Sequence, residues 1–324
     1  MKYDFTTVIQ RAGQDALAYD GLGVYPGLPS RPKDGFDPIP MWVADMNFHV
    51  FPGIQEAVIR RVQQPHFGYI YPPAEFTESM IWWQKTRNGA EELTPECIAF
   101  ENGLLGGLIS ALNAVCTRGD SVLVHKPTYS GFTRALKQNG YQLVLSDLTA
   151  DEAGVWRMDF KDMEKKIVAN CIHALIFCTP HNPCGRVWER WEVEKLMELC
   201  KKHDVYVIAD EIWSDIVLPG HKHVPPELVS EDAKNRTVAL YSTAKTFSIP
   251  AFNGSYRIIY NKRLRDQVAK ASMQTDYNNW NLLTCYAMMG RIQRKVHSGL
   301  TKCAALSTTI WTIPAITWRN TLMA

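Results

Sequence analysis

Six short apolar runs, recurring between amphipathic segments, constrain this chain more than any other feature. They are Ser121-Val-Leu-Val124, Gln142-Leu-Val-Leu145, Ala174-Leu-Ile-Phe177, Val205-Tyr-Val-Ile208, Val238-Ala-Leu-Tyr241 and Tyr256-Arg-Ile-Ile-Tyr260. Runs this short, and this rich in β-branched residues, read as strands of a largely buried sheet. The segments between them carry a helical period instead. In residues 191–200, Val193, Leu196, Met197 and Cys200 form an i, i+3, i+4, i+7 stripe. Strand alternating with helix predicts an α/β fold.

Helical segments are also expected at about 54–64 and 75–88, and the adjacent Trp82 and Trp83 are expected to pack. Residues 21–40, rich in Gly, Pro and Asp, read as an extended lead-in. With 324 residues, 46% of them hydrophobic, the chain has material for about two domains.

Net charge is only +2 and the basic residues are dispersed, so no nucleic-acid footprint is expected and the partners should be small molecules. Eight cysteines lie at irregular spacings without a C-x-x-C pair, which predicts reduced, mostly buried thiols in a cytoplasmic protein. The polar N-terminus and the lack of a long apolar run predict no export signal and no membrane span.

Chemistry concentrates at the ends of the predicted strands. Lys245 follows the run Val238 to Tyr241 and is flanked by Ser242, Thr243, Ala244 and Thr246. An amine emerging among small hydroxyls suits a Schiff-base lysine beside a phosphate, although a lysine taken alone is more often a solvated loop residue. Asp210 ends the run that starts at Val205, at the strand edge where open α/β sheets bind ligands. It could pair with a pyridinium nitrogen or simply cap a following helix, for which Glu211 is the better candidate.

Asn182-Pro-Cys-Gly185 follows the strand at 174–177, and reads either as a turn that aims the Asn182 amide or as an ordinary turn. Gly103 opens a helix whose free backbone N–H groups suit a phosphate, or the glycine merely allows close packing. Tyr129 is either a ring stacker or a core tyrosine. His221-Lys-His223 has no placed third ligand and reads as a solvated loop, not a metal site. Together, a lysine, an aspartate and an asparagine in this arrangement are what holding pyridoxal phosphate (PLP) requires.

With these residues the chain resembles fold-type-I PLP enzymes of the aminotransferase class I/II superfamily, and more closely the MalY/PatB-type C–S lyases, the cystathionine β-lyase branch. The likeness rests on Pro40-Met-Trp-Val-Ala-Asp-Met-Asn-Phe48, Phe67-Gly-Tyr69, Lys126-Pro-Thr-Tyr129, Asn182-Pro-Cys-Gly-Arg-Val-Trp188, Ala209-Asp-Glu-Ile212, Gly220-His-Lys-His223 and Ser242-Thr-Ala-Lys-Thr-Phe247. It implies a mainly parallel central sheet flanked by helices, with an incomplete small domain.

The resemblance makes Lys245 the Schiff-base lysine and proton shuttle, Asp210 the pyridinium partner, Asn182 the O3′ partner and Tyr129 the ring stacker. It assigns the phosphate to Ser242 and the amides of Leu104 and Leu105. Tyr69 would reach the phosphate of a neighbouring subunit, which implies a homodimer with shared sites. Trp213 stands where the branch usually has His; its indole can donate a hydrogen bond but cannot accept one or titrate.

The implied organisation is an N-terminal segment of the small domain at 1–45, a large PLP-binding domain at 46–285 and an aberrant, truncated segment at 286–324. After Asp276 there is no Asp or Glu, whereas the preceding chain holds all 33. This composition leads us to expect a frameshift near residue 290. Family members continue beyond residue 324 and include an arginine that grips the substrate carboxylate. The implied activity is β-elimination from cysteine S-conjugates such as cystathionine. The alternatives are transamination, or a catalytically impaired PLP-binding or regulatory protein.

Overall fold

Each of the six apolar runs falls on a strand of one eight-stranded sheet to within two residues, and helices flank both faces. The computed structural model describes residues 4, 7–25, 27–274 and 276–290. The strands are β1 (Ile98–Asn102), β2 (Ser121–Lys126), β3 (Gln142–Ala150), β4 (Trp156–Met158), β5 (Ala174–Cys178), β6 (Tyr206–Asp210), β7 (Thr237–Ser242) and β8 (Gly254–Ile258). Their order across the sheet is β1-β8-β7-β6-β5-β2-β3-β4. The centre, β7-β6-β5-β2-β3, is parallel throughout, while β8 runs antiparallel to both its neighbours and β4 runs antiparallel to β3.

The helices are α1 (Leu17–Asp20), α2 (Pro52–Val62), α3 (Ala74–Asn88), α4 (Leu104–Val115), α5 (Ser130–Gln138), α6 (Phe160–Ala169), α7 (Arg190–Lys202), α8 (Glu231–Arg236), α9 (Lys262–Met273) and α10 (Leu282–Met289). The apolar runs are continuous because both faces of the sheet are covered. Side chains alternate along a strand, so Val122 and Val124 join Leu108, Leu112, Leu264 and Val268 of α4 and α9 in one cluster. Leu123 points the other way, to Met163, Ile167, Val193 and Leu196 of α6 and α7. The stripe at Val193, Leu196, Met197 and Cys200 is buried as expected.

Helices α2 and α3 match the predicted segments within a few residues, and among the described residues 21–40 there is no helix or strand. Trp83 is buried, with its ring 6.1 Å from that of Trp82. Helix α10 crosses the segment boundary expected at residue 285, and residues 291–324, with the expected frameshift, lie outside the described residues. The seven described cysteines are free thiols, and no described helix is long and apolar enough to cross a membrane.

Two strands have no apolar run to announce them. Strand β4 has only three residues and pairs at the sheet edge. Strand β1 carries Glu101, a residue that argues against a buried strand until its partner is known. That partner is Arg257 on β8, beside the Tyr277 hydroxyl, which also donates to Glu101. Glu101 is fully buried and Arg257 nearly so, and burial pushes the guanidinium down to about 10.

Removing one member of such a pair leaves the other charged and unpaired in the interior. Glu101→Ala is therefore expected to cost about 3–5 kcal/mol, and replacing both residues by apolar ones far less. Urea unfolding of the two variants checks this, and a single variant unfolding at the parent midpoint would contradict it.

Candidate active site

The order of the parallel strands brings the predicted site residues to one edge. Strands β3 and β5 lie on opposite sides of β2, so the chain changes direction across the sheet there, and a crevice opens outside the C-terminal strand ends. Tyr129 follows β2, Asn182 follows β5, Asp210 ends β6 and Lys245 follows β7. With Leu104, Leu105 and Trp213 they line one cavity of about 830 Å³. Its wall is completed from the N-terminal lead-in by Met41, Trp42, Val43 and Ala44.

Lys245 and Asp210 define the electrostatics of this cavity. The Lys245 ammonium donates to the Ala44 carbonyl at 3.1 Å and lies 5.9 Å from the Trp213 ring centroid. Burial draws the amine below the ordinary lysine range, against the opposing pull of the Asp45 and Asp210 carboxylates. Asp210 is buried and accepts from the Ile212 N–H at 3.1 Å. Burial raises its carboxyl to about 7, while that hydrogen bond and the Lys245 charge act in the opposite direction.

The floor is built for an anion. Helix α4 begins after Gly103, with no side chain capping its first turn, so its leading N–H groups face the cavity end with the positive end of the helix dipole. Gly103 has φ +87°, a conformation that strains any residue with a Cβ, and a Cβ there would also displace the Asn253 side chain, whose oxygen it would meet at 2.7 Å. Thr128, also on the lining, has a buried hydroxyl without a hydrogen-bond partner among the described residues. Gly131 leaves room for the Tyr129 ring, which a Cβ would meet at 2.1 Å.

These groups match PLP one by one. Amide N–H groups and a hydroxyl suit the phosphate, a buried carboxyl suits the ring nitrogen, an amine suits the aldehyde, and a tyrosine ring suits stacking. The volume suits a cofactor with a small substrate.

Two predicted residues are not on this lining. The Ser242 hydroxyl is buried, donating to the Gly254 carbonyl at 2.6 Å and accepting from the Ala244 N–H at 3.1 Å. Tyr69 is fully exposed, in a stretch that also exposes Phe67 and Tyr71.

Two expectations outside the cavity are corrected. Glu211 caps no helix, because β6 is followed by turns, and its buried carboxyl accepts from the Tyr241 hydroxyl at 2.7 Å. His223 is not a solvated loop residue either. It is buried, with Nε2 2.6 Å from Glu211, and burial depresses its imidazole to about 4. No group of residues that could hold a metal occurs among the described residues. Asn102, Thr128, Ser130 and Asn253 line the cavity without having been singled out. Thr128, inside Lys126-Pro-Thr-Tyr129, could have been found as a hydroxyl just past a strand end.

The strand order and the cavity at its C-terminal edge define the class: PLP-dependent transferases of fold type I. Within it, the chain belongs to the aminotransferase class I and II family, whose model matches residues 43–282. Cystathionine beta-lyase PatB of Bacillus subtilis (strain 168) is 35% identical over 265 residues, covering 82% of this chain and 66% of that protein. Protein MalY of Escherichia coli (strain K12) is 28% identical over 270 residues, 83% of this chain and 66% of MalY. The chain thus spans just under two thirds of the length of these relatives.

The PLP-bound C-S lyase from Staphylococcus hominis has a TM-score of 0.86 and 28% identity, over 97% of this chain and 76% of that one. Cystalysin from Treponema denticola, whose structure contains pyridoxal 5'-phosphate, has a TM-score of 0.86 and 28% identity, over 94% and 75% respectively.

The raised Asp210 carboxyl has a consequence for the ligand-free chain. Between about pH 4 and its folded value of about 7, the folded state keeps a proton that the unfolded state has lost, so stability falls as pH rises through that window. Asp210→Asn removes this fall. Its melting temperature should equal the parent's near pH 4 and exceed it above pH 7 by roughly 2–4 °C for each 1 kcal/mol of relief. A difference that does not change with pH in thermal scans would refute the assignment.

Proposed function

We propose that this chain binds PLP in the cavity and catalyses β-elimination from cysteine S-conjugates of the cystathionine type, releasing a thiol, pyruvate and ammonia. The observation that carries this reading is the convergence of Lys245, the buried Asp210 and the uncapped start of α4 on one cavity. The names of the relatives PatB and the S. hominis C-S lyase point to the same reaction class.

Bound PLP would supply an electrophilic aldehyde and a ring able to take up the electron pair left at the substrate Cα. Lys245 would hold the aldehyde covalently until the substrate amine replaces it. Its amine, freed and already drawn below the ordinary lysine range by burial, is suited to remove the Cα proton as general base. Asp210 would keep the ring nitrogen protonated by charge pairing, which returns its own carboxyl to the ionised form.

The N–H groups of Leu104 and Leu105, with the Thr128 hydroxyl, would bind the phosphate, and Ser242 would join them if its hydroxyl turned from the Gly254 carbonyl. Tyr129 would stack on the ring. Asn182, with Trp213 as a further donor, would hydrogen-bond its hydroxyl. Once Lys245 had taken the Cα proton the thiolate would leave from Cβ, and water would convert the remaining three-carbon fragment to pyruvate and ammonia.

The exposed stretch from Phe67 to Tyr71 supports a homodimer in which Tyr69 of one copy reaches the phosphate end of the other. The free thiols support a reducing compartment, and we place the protein in the cytoplasm. In this reading residues 46–285 carry the cofactor and residues 1–45 belong to a smaller unit.

Incubation with PLP should give a visible absorbance band that is absent in Lys245→Ala, and cystathionine should then yield pyruvate and thiol. Loss of the Lys245 amine should lower turnover by roughly 10²–10⁴-fold. Formation of a keto acid without thiol would replace elimination by transamination, and PLP binding without any product would reject the activity.

A further inference from the structure

Lys245 sits in a turn that is tethered on three sides. The Thr246 hydroxyl donates to the Asp215 carboxylate at 2.9 Å. The Phe247 ring packs 5.7 Å from that of Trp83 on α3. Ser248, at φ +53°, uses its hydroxyl to accept from the Met46 N–H at 3.0 Å. Of these partners Asp215 is the one that joins separate parts of the site. Its carboxylate also accepts from the Trp83 indole at 3.1 Å and from Arg87 Nε at 3.2 Å, while its carbonyl accepts from Arg87 Nη2 at 3.1 Å.

Asp215 is buried and has this ion pair to offset the cost. It also lies two residues beyond Trp213, within the run of turns that follows β6 and brings the Trp213 ring to the Lys245 amine. One carboxylate thus ties α3, the turn after β6 and the turn after β7 together, next to the residue that must present its amine.

We infer that Asp215, through the Thr246 hydroxyl, is a positioning residue that sets where the Lys245 amine stands in the cavity. Asp215 touches neither the cavity nor Lys245 and is not itself catalytic. A reacting amine has to be held within a fraction of an ångström, and a hydrogen bond from the adjacent residue is the shortest lever on it. The inference deepens the proposed function and rests on it only for what Lys245 does once placed.

Thr246→Val removes the hydroxyl at nearly constant shape, and Thr246→Ser restores it. In the full chain without cofactor, the pH dependence of Lys245 acylation by acetic anhydride, read by peptide mass spectrometry, reports the amine directly. Thr246→Val should shift that profile by a measurable fraction of a pH unit and leave Thr246→Ser with the parent profile. In the same variants PLP affinity should fall by roughly tenfold to a hundredfold for Val and recover for Ser.

Val193→Ala, in the cluster formed with α6 and α7, controls for general destabilisation and should leave the Lys245 profile in place. Should Thr246→Val fail to fold, Asp215→Asn takes its place, since its amide must face a donor on one side. An unchanged Lys245 profile in the hydroxyl-less variant, or the same shift in Val193→Ala, overturns the inference. A parent chain that never binds PLP would overturn the proposed function instead, and the acylation profile would still decide the role of Asp215.

Discussion

The structure depends on burying the parallel strands β2, β5, β6 and β7 on both faces at once. Helices α4 and α9 cover one face, and α6 and α7 the other. The contribution is large and non-directional, at about 25 cal/mol per Å² of apolar surface removed from water. It cannot position a side chain by itself. What it does is hold the strands in register, so that their C-terminal ends finish at one level and the chemistry can be placed on the turns beyond.

Polar residues then set what that edge can do, and each is held at a cost. Asp210 is a buried carboxyl at the end of a strand buried from Val207 onward, so the interior opposes its ionised form until a positive partner is present. Lys245 is drawn down by the same burial. The two oppositely charged groups share a cavity that favours neither charge alone, a condition that a cationic ring nitrogen beside Asp210 and an aldehyde beside Lys245 relieve. Glu211, the next residue in the chain, belongs to a separate buried polar network with His223 and Tyr241. Glu227 joins it through the Tyr241 hydroxyl.

Much of this was legible in the residues. The six apolar runs, the stripe on α7 and the glycine before α4 depend on neighbours a few positions away, and each appears as expected within a few residues. Tyr129, Asn182, Asp210 and Lys245 could be placed because each lies at or just past a strand end. Strand β1 was not legible, because Glu101 becomes tolerable inside the sheet only once Arg257 stands 156 positions away beside it. His223 and Glu211 were misread for the same reason. Each looks like a solvated or capping residue until the other is opposite it.

The sequence by itself determined the strand and helix pattern, the α/β class and the residues able to meet a pyridine ring, a phosphate and an aldehyde. These follow from local periodicity and from the functional groups that side chains carry. Only the tertiary structure decided which of those residues share a cavity. It put Leu104, Leu105, Tyr129, Asn182, Asp210, Trp213 and Lys245 together, kept the Ser242 hydroxyl off that lining on the Gly254 carbonyl, and left Tyr69 on the surface. It also made Asp215 a junction between α3 and the Lys245 turn. The physical reason is that burial, and the hydrogen bonds burial demands, are set by residues distant in the chain.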